Sequence, residues 1–383
     1  MEPHSWCEIS RGALEHNVKQ LRRVVGSRCM LAPVVKANGY GHGITLAAAA
    51  FLSAGADWLC VNDLAEANLL RRAGLGCPIY VLGWVAPWEM EEVCGLGVRI
   101  VVYDSDAVVA AAAAGRSHNR SIPLHIKVET GNHRQGLPPN DALALARLVN
   151  DLEGVYLEGI TTHFADIEDT TDHTYATKQL TIFEDFIAQC SHAGLSPSIR
   201  HCSNSAATIL WPNTYFDMVR TGIASYGMWP SKETLLSAVL ADRHGMQLRP
   251  ALAWKARIAQ VKTVPKGSFI GYGRTYQATH DSRIAVITCG YYDGYDRRLS
   301  NLAYVLVNGV RAPVRGRICM NLMMVDTTDV DSSDVSLRAG EVTLLGDSAG
   351  ERISAEQMAE WIGTINYEVV ARINERLPRR EVM

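Results

Sequence analysis

The sequence predicts an α/β fold: an N-terminal (β/α)8 barrel of the TIM type over residues 1–243, then a mostly β domain over 244–383. Three observations predict it. Between residue 30 and about 225, eight short β-branched runs alternate with Ala- and Leu-rich amphipathic segments, the signature of a closed parallel sheet rather than a doubly wound one. From Leu252 to Ile258 the apolar residues then alternate with Lys255 and Arg257, the period of a half-buried strand. Asn308-Gly309 sits between two apolar runs as a two-residue hairpin signal.

The expected barrel strands are Pro33–Lys36, Trp58–Val61, Ile79–Leu82, Arg99–Val102, Leu124–Val128, Tyr156–His163, Ile199–Cys202 and Phe216–Arg220. Pro33 is expected to be the first residue of its strand, because it cannot donate to a ladder. Helices are expected over Thr45–Ser53, Leu64–Ala73 and Asp141–Leu152 among the connections. The composition changes near His244–Pro250, where the second domain is expected to begin; the first few residues of the chain are open to pairing with it. There, Tyr304–Val307 and Val310–Val314 flank the hairpin turn, and Ser354-Ala355-Glu356-Gln357 reads as a capping box opening a helix through Trp361.

The charge balance excludes several function classes. With 37 Lys+Arg against 40 Asp+Glu, the net charge of −3 offers no broad basic face for nucleic acid or an anionic membrane. The longest apolar stretch, Ile44–Ala56, falls short of the roughly 20 residues that span a bilayer. The nine cysteines form no CxxC pair, and the first residues show no basic segment followed by an apolar run. Both points lead us to expect a cytoplasmic protein with reduced thiols. No metal site is expected: there is no HExxH, and the histidines do not fall at ligand spacings with cysteines.

In a (β/α)8 barrel the active site lies at the C-terminal ends of the strands. Lys36, Lys127, His163, the Ser203-Asn204-Ser205 turn and Arg220 end the proposed strands, so one rim gathers groups far apart in sequence. A lysine in a barrel mouth is desolvated, which lowers its pKa and frees the amine for Schiff-base chemistry; alone, Lys36 reads more readily as a surface residue on a loop. Ser205 after the seventh strand and Gly222-Ile223 after the eighth occupy the loops where many barrels hold a phosphate, although Ser205 alone reads more readily as a helix cap. A Schiff-base lysine with a phosphate seat points to pyridoxal 5′-phosphate (PLP).

The segment Val34-Val35-Lys36-Ala37-Asn38-Gly39-Tyr40-Gly41-His42-Gly43 resembles the PLP-attachment signature of the alanine racemase family, PLP enzymes of fold type III. The resemblance continues through Lys127-Val128-Glu129-Thr130-Gly131 with Arg134, Thr162-His163-Phe164, His201–Ala207 and Val219–Ile223. It extends to Gly290-Tyr291-Tyr292-Asp293-Gly294, Gly316–Met320 and Thr364–Glu368, in the family's order over nearly the whole chain.

The resemblance implies that Lys36 holds PLP and shares proton transfer with Tyr291, which reaches the opposite face of the substrate's α-carbon from a second copy of the chain. Spacing alone does not choose Tyr291 over Tyr292. Arg220 matches the arginine at the pyridine nitrogen, which makes the ring a weaker electron sink and disfavours side reactions; His201 orients it or is a core histidine. Tyr40, Ser205, Gly222, Ile223 and Tyr367 match phosphate contacts, while Leu82 and His163 match positions lining the cofactor. Arg134 and the backbone N–H of Met320 match contacts to the substrate carboxylate. Lys127 matches a lysine that is carbamylated in many members; unmodified, it would pair with Glu129. Asn132, Gln135 and Asn321 depart from the usual pattern near the substrate entry, and Thr221 replaces a frequent proline. The implied activity is interconversion of L- and D-alanine in a homodimer, supplying D-alanine for peptidoglycan. The alternatives are a racemase preferring serine or another small amino acid, a PLP carrier without turnover, and a PLP decarboxylase, which Arg220 opposes.

Overall fold

The computed structural model describes residues 2–241, 245–331 and 337–383. The expected domain boundary at 243/244 falls outside these residues. By packing, the chain divides into two units, one of Ala13–Gly39 and Ile44–Arg249, the other of Met1–Gly12, Tyr40–Gly43 and Pro250–Met383.

The first strand, β1 (Ser5–Ser10), belongs to the second unit, and the helix Arg11–Val25 leads out of it. In the first unit β2 (Met30–Leu31), β3 (Leu59–Val61), β4 (Ile79–Val81), β5 (Arg99–Val102), β6 (Ile122–Lys127), β7 (Val155–Thr161), β8 (Ile199–His201) and β9 (Met218–Val219) follow one another around a barrel. β3 to β8 form one parallel sheet in sequence order, and β2 pairs in parallel with β9. The Val34–Cys60 bridge joins β2's extension to β3. Hydrogen bonds from Asp217 N to Arg200 O (3.1 Å) and Arg220 N to Ser203 O (3.0 Å) join β9 to β8.

The first strand starts earlier than expected. Ladder pairing begins at Met30, and Pro33 lies inside the extended run between Ala32 and Val34, whose N–H groups bond to Val219 O and Thr221 O. Pro33 lends only its carbonyl, to Cys60 N (2.9 Å), so its missing donor removes one rung without ending the strand. The last strand is also shorter than expected, since Phe216 adopts a left-handed φ of 44° that no ladder residue takes.

Four helices of this unit start at a side-chain N-cap. The side chains of Asp63, Asp104, Asn204 and Ser231 each accept from the backbone N–H three residues on. Phe51, Phe183 and Phe186 on the helices lie, with Tyr80 and Leu31 on the strand side, among the fully buried side chains of this unit. No helix among the described residues is long and apolar enough to cross a membrane.

The second unit is mostly β. β10 (Leu252–Val264), β11 (Phe269–Ile270), β12 (Tyr276–Gln277), β13 (Ser282–Ile287), β14 (Tyr304–Val307), β15 (Val310–Pro313), β16 (Met323–Asp326), β17 (Glu341–Ser348), β18 (Glu351–Ile353) and β19 (Arg379–Val382) follow in order. The main sheet runs β15-β14-β17-β10-β1-β19, with β13 branching from β10 and pairing in turn with β16, and β18 branching from β17. β10 alternates buried and half-buried residues from Leu252 to Ile258, as its sequence predicts. Asn308 (φ 51°) and Gly309 (φ 81°) both turn left-handed, which gives the tight β14–β15 hairpin. Trp6, Trp254 and Tyr295 are fully buried in this unit.

The capping box is only half made. Ser354 caps Gln357 N (3.1 Å), but the Gln357 amide turns away to the Tyr304 hydroxyl (3.0 Å) instead of returning to Ser354.

Candidate active site

Within the barrel unit, Lys36, Leu82, Lys127, His163, His201 and Arg220 all stand at or just beyond the C-terminal ends of strands. Lys36 follows the extension of β2 and opens a left-handed run: Ala37, Asn38, Gly39, Tyr40 and Gly41 have φ between 51° and 81°. Non-glycine residues rarely take this conformation, so something must hold them there. In the barrel unit the Glu66 carboxylate accepts from Ala37 N (2.6 Å) and Asn62 N (2.7 Å), and Asn38 Oδ1 accepts from Ile44 N (3.0 Å). Burial lowers the Lys36 amine below its ordinary 10.5, the Arg134 charge lowers it further, and Glu66 opposes both. A larger share of free amine follows, the form a Schiff-base lysine needs.

Arg220 is buried directly after β9. Its Nη1 donates to His201 Nδ1, and its Nη2 to Thr162 O (3.0 Å) and Cys202 O (3.3 Å). A guanidinium can only donate, so His201 Nδ1 is bare and the ring proton sits on Nε2. That proton points to His125 Nδ1 (2.7 Å), whose own ring proton therefore sits on Nε2 and points to Glu158 Oε2 (3.0 Å), where Arg99 Nε also donates (3.2 Å). Burial, then the Arg220 charge, holds His201 well below an ordinary histidine. Burial lowers His125 against the pull of Glu158. Both rings are neutral, and four side chains form one chain of donors polarised from Arg220 to Glu158. Burial raises the Glu158 carboxyl, but the hydrogen bonds from His125 and Arg99, with the Arg99 charge, outweigh it and keep the group ionised.

Ser205 is buried at the start of the helix after β8, and its Oγ accepts from Gly222 N (2.8 Å) and Ala224 N (3.4 Å). These amides, with Ile223 between them, converge on one oxygen, as an anion seat requires. A deprotonatable amine, a buried guanidinium able to donate to a ring nitrogen and amides converging on an oxygen fit the aldehyde, pyridine and phosphate of PLP.

Lys127, Glu129, Asn132, Arg134, Gln135, Thr162 and His163 line one narrow cleft. Burial, with the charges of Arg220 and Arg134, lowers the Lys127 amine to about 7. Glu129 turns its carboxylate onto Gly131 N and Asn132 N (2.6 Å), the turn that carries Arg134. His163 is neutral because burial, Lys127 and Arg220 hold it well below 6.5. Leu82 is half-buried and donates its N–H to Val61 O (2.9 Å).

In the second unit, Tyr291 and Tyr292 donate their backbone N–H groups to Cys319 O (3.0 Å) and Met320 O (2.9 Å), so the tyrosine pair and Met320 share one corner. A Cβ on Gly290 would lie 2.2 Å from Cys319 O, which explains the glycine there. Tyr40 stacks at a tilt on Tyr367, with centroids 6.1 Å apart.

The family models described as alanine racemase N-terminal domain and alanine racemase C-terminal domain match residues 9–230 and 251–381. The chain belongs to the alanine racemase family. A protein named alanine racemase from Desulforamulus reducens is 40% identical over 380 residues, 99% of each chain. One from Symbiobacterium thermophilum is 41% identical over 376 residues, 98% of this chain and 96% of its own. Among solved structures, the alanine racemase of Streptomyces lavendulae superposes with a TM-score of 0.91 at 34% identity, covering 100% of this chain and 98% of that one. The alanine racemase of Bartonella henselae, solved with covalently bound pyridoxal phosphate, gives 0.85 at 27%, covering both chains fully.

The structure adds residues to the alanine racemase motifs that sequence reading did not single out. His125 and Glu158 are interior strand residues with no neighbouring motif, and only the fold brings them under His201. Tyr272 was also missed. It is 72% exposed, against 42% for Tyr291, at the tip of the β11–β12 hairpin between Gly271 (φ 77°) and Gly273 (φ 73°). The signal was the Gly-Tyr-Gly triplet, since flanking glycines at positive φ present a side chain outward. Asn132, one of the departures, ties its amide to Phe164 O (3.2 Å) and fastens its own loop.

Proposed function

We propose that this chain interconverts L- and D-alanine with PLP in its barrel mouth, Lys36 and a tyrosine phenol exchanging protons on opposite faces of the substrate's α-carbon. The depressed Lys36 amine in one barrel rim with the Arg220 guanidinium and the Ser205–Gly222 seat carries this reading. PLP, when bound, supplies an aldehyde that takes up an amine and a ring that acidifies the adjacent C–H bond. Lys36 Nζ holds the cofactor and then takes or returns the α-proton on its own face. Arg220, unable to give up its proton, would donate to the pyridine nitrogen without protonating it, and a ring held that way would favour proton exchange over decarboxylation and transamination. Ser205, Gly222, Ile223, Tyr40 and Tyr367 hold the phosphate, His201 orients Arg220, and neutral His163 lines the ring with Leu82. Arg134 and the Met320 N–H bind the substrate carboxylate. Lys127 carries a carbamate, its amine near 7 being half unprotonated and its cleft lined by Arg134.

The phenol comes from a second copy of the chain in a homodimer, and by motif it is Tyr291. A second reading, Tyr272, is favoured by its exposure and by the two left-handed glycines that present it. Tyr272→Phe and Tyr291→Phe separate the two: the base is the position whose variant keeps PLP but loses racemisation, most in one direction. The activity would supply D-alanine for peptidoglycan from the cytoplasm.

The test is incubation of the PLP-loaded protein with L-alanine and L-serine in deuterated water, following Cα deuteration by NMR and D-isomers by chiral chromatography. D-Alanine formed fastest, with deuteration, is expected. Faster D-serine would move the substrate to serine. Bound PLP with neither product would overturn turnover and leave a carrier.

A further inference from the structure

The turn that follows Lys36 packs apart from it: Tyr40–Gly43 groups with the C-terminal residues of the chain. Within that unit a Cβ on Gly41 (φ +81°) would lie 2.0 Å from Val370 O, so the turn and the helix Asn366–Ala371 touch main chain to main chain. Tyr40 leans on Tyr367 of the same helix, and His42 Nδ1 bonds back to Tyr40 O (2.9 Å).

One side chain fastens this contact. Arg379 Nε donates to Gly41 O (3.0 Å), Nη1 to Asn374 O (2.6 Å) and Leu377 O (2.8 Å), and Nη2 to Ile373 O (2.9 Å). Three of these carbonyls belong to the loop between the helix and β19, and the fourth belongs to the turn carrying Tyr40. The backbone of Arg379 is itself fixed opposite Cys7, where β19 pairs with β1. A guanidinium's planar fork suits this work, because several donors lie in one rigid plane that an ammonium cannot reproduce.

We infer that Arg379 is the positioning residue of the Tyr40 turn, setting the Tyr40–Tyr367 pair that recognises the phosphate of the cofactor. This rests on the PLP reading above. It makes phosphate recognition, and not aldehyde recognition, depend on the C-terminal segment.

The test compares PLP with pyridoxal, the same aldehyde lacking phosphate, by equilibrium dialysis against full-length wild type, Arg379→Gln and Gly41→Ala freed of cofactor, with circular dichroism as a fold control. Wild type should prefer PLP. In both variants that preference should fall about 10- to 100-fold, the scale of a lost charge-assisted hydrogen bond, while pyridoxal affinity stays within about threefold. Arg379→Lys should recover only part of it, since one ammonium cannot span the four carbonyls. An undiminished preference in Arg379→Gln, or equal losses for both ligands, would overturn the inference while leaving the PLP reading standing. A folded wild type that binds PLP no better than pyridoxal would overturn both.

Discussion

Replacing His125 with phenylalanine tests the buried chain beneath Arg220. Phenylalanine preserves the ring contacts with Tyr80 (4.7 Å) and His201 (5.0 Å) while removing both nitrogens. Two losses follow. The His201 Nε2–H, in a fully buried ring, is left without its acceptor, at a cost of about 1–3 kcal/mol. Glu158, 7% exposed, loses its hydrogen bond from His125, worth about 1.5–3 kcal/mol for a charged acceptor, and keeps Arg99. The sum is about 2.5–6 kcal/mol, a large share of a typical domain's stability. The assay is urea unfolding of His125→Phe and wild type, with ¹⁵N NMR of the histidine rings. In wild type both rings should stay neutral and Nε2-protonated through the pH range where an ordinary histidine takes up its second proton, because burial opposes the charged form. A destabilisation below about 1 kcal/mol, or a His201 ring protonated on Nδ1, would refute the polarised chain.

Gly159→Ala should break the same chain from the neighbouring strand: its Cβ would lie 2.5 Å from His125 Nδ1 and 2.8 Å from the immobile Ile199 O. The expected loss is about 1–3 kcal/mol, read by urea unfolding. Lys127 has a folded pKa of about 7, below its ordinary 10.5, so its free amine grows as pH rises through 7. With ¹³C-bicarbonate, a carbamate resonance should be weak at pH 6, strong at pH 8 and missing from Lys127→Ala; its absence at pH 8 would count against the modification. Burial, with Asp169 nearby, raises Glu168 to about 7, and its Oε2 accepts from the Asn204 amide. From about pH 4.5 to 7 the folded chain keeps a proton that the unfolded chain releases, so stability falls as pH rises through that window. Glu168→Gln keeps the acceptor without the charge and should raise the apparent Tm at pH 8, by about 1–3 kcal/mol of stability, with little change at pH 4.5; an equal shift at both values would contradict the assignment.

Periodicity and motif placed much of this molecule. The barrel follows from eight spaced runs, and the β14–β15 turn from Asn308-Gly309, because both signals are local. Lys36, Lys127, His163 and Arg220 could be put on one rim because strand ends in a barrel share a face. The partnerships of His125, Glu158 and Glu168 escaped because they join residues 33 to 76 positions apart through the interior, where nothing local marks a histidine that meets another histidine. Pro33 misled for the opposite reason: its missing donor is a local fact, but the neighbouring rungs on both sides tolerate it.

The placement of β1 bears on how the chain is made. Trp6, Cys7 and Ile9 are buried in a strand that pairs with β10 and β19, and the earlier of these partners, β10, begins at Leu252, some 240 residues later. At about 5–20 residues per second, a ribosome takes on the order of 10–50 s to deliver that partner. Throughout the interval an apolar strand waits at the front of the nascent chain while the whole barrel emerges behind it. β19, its other neighbour, arrives later still. Synthesis thus exposes a sticky edge that the finished enzyme never shows, and speeding or slowing translation across the barrel changes how long chaperones must cover it.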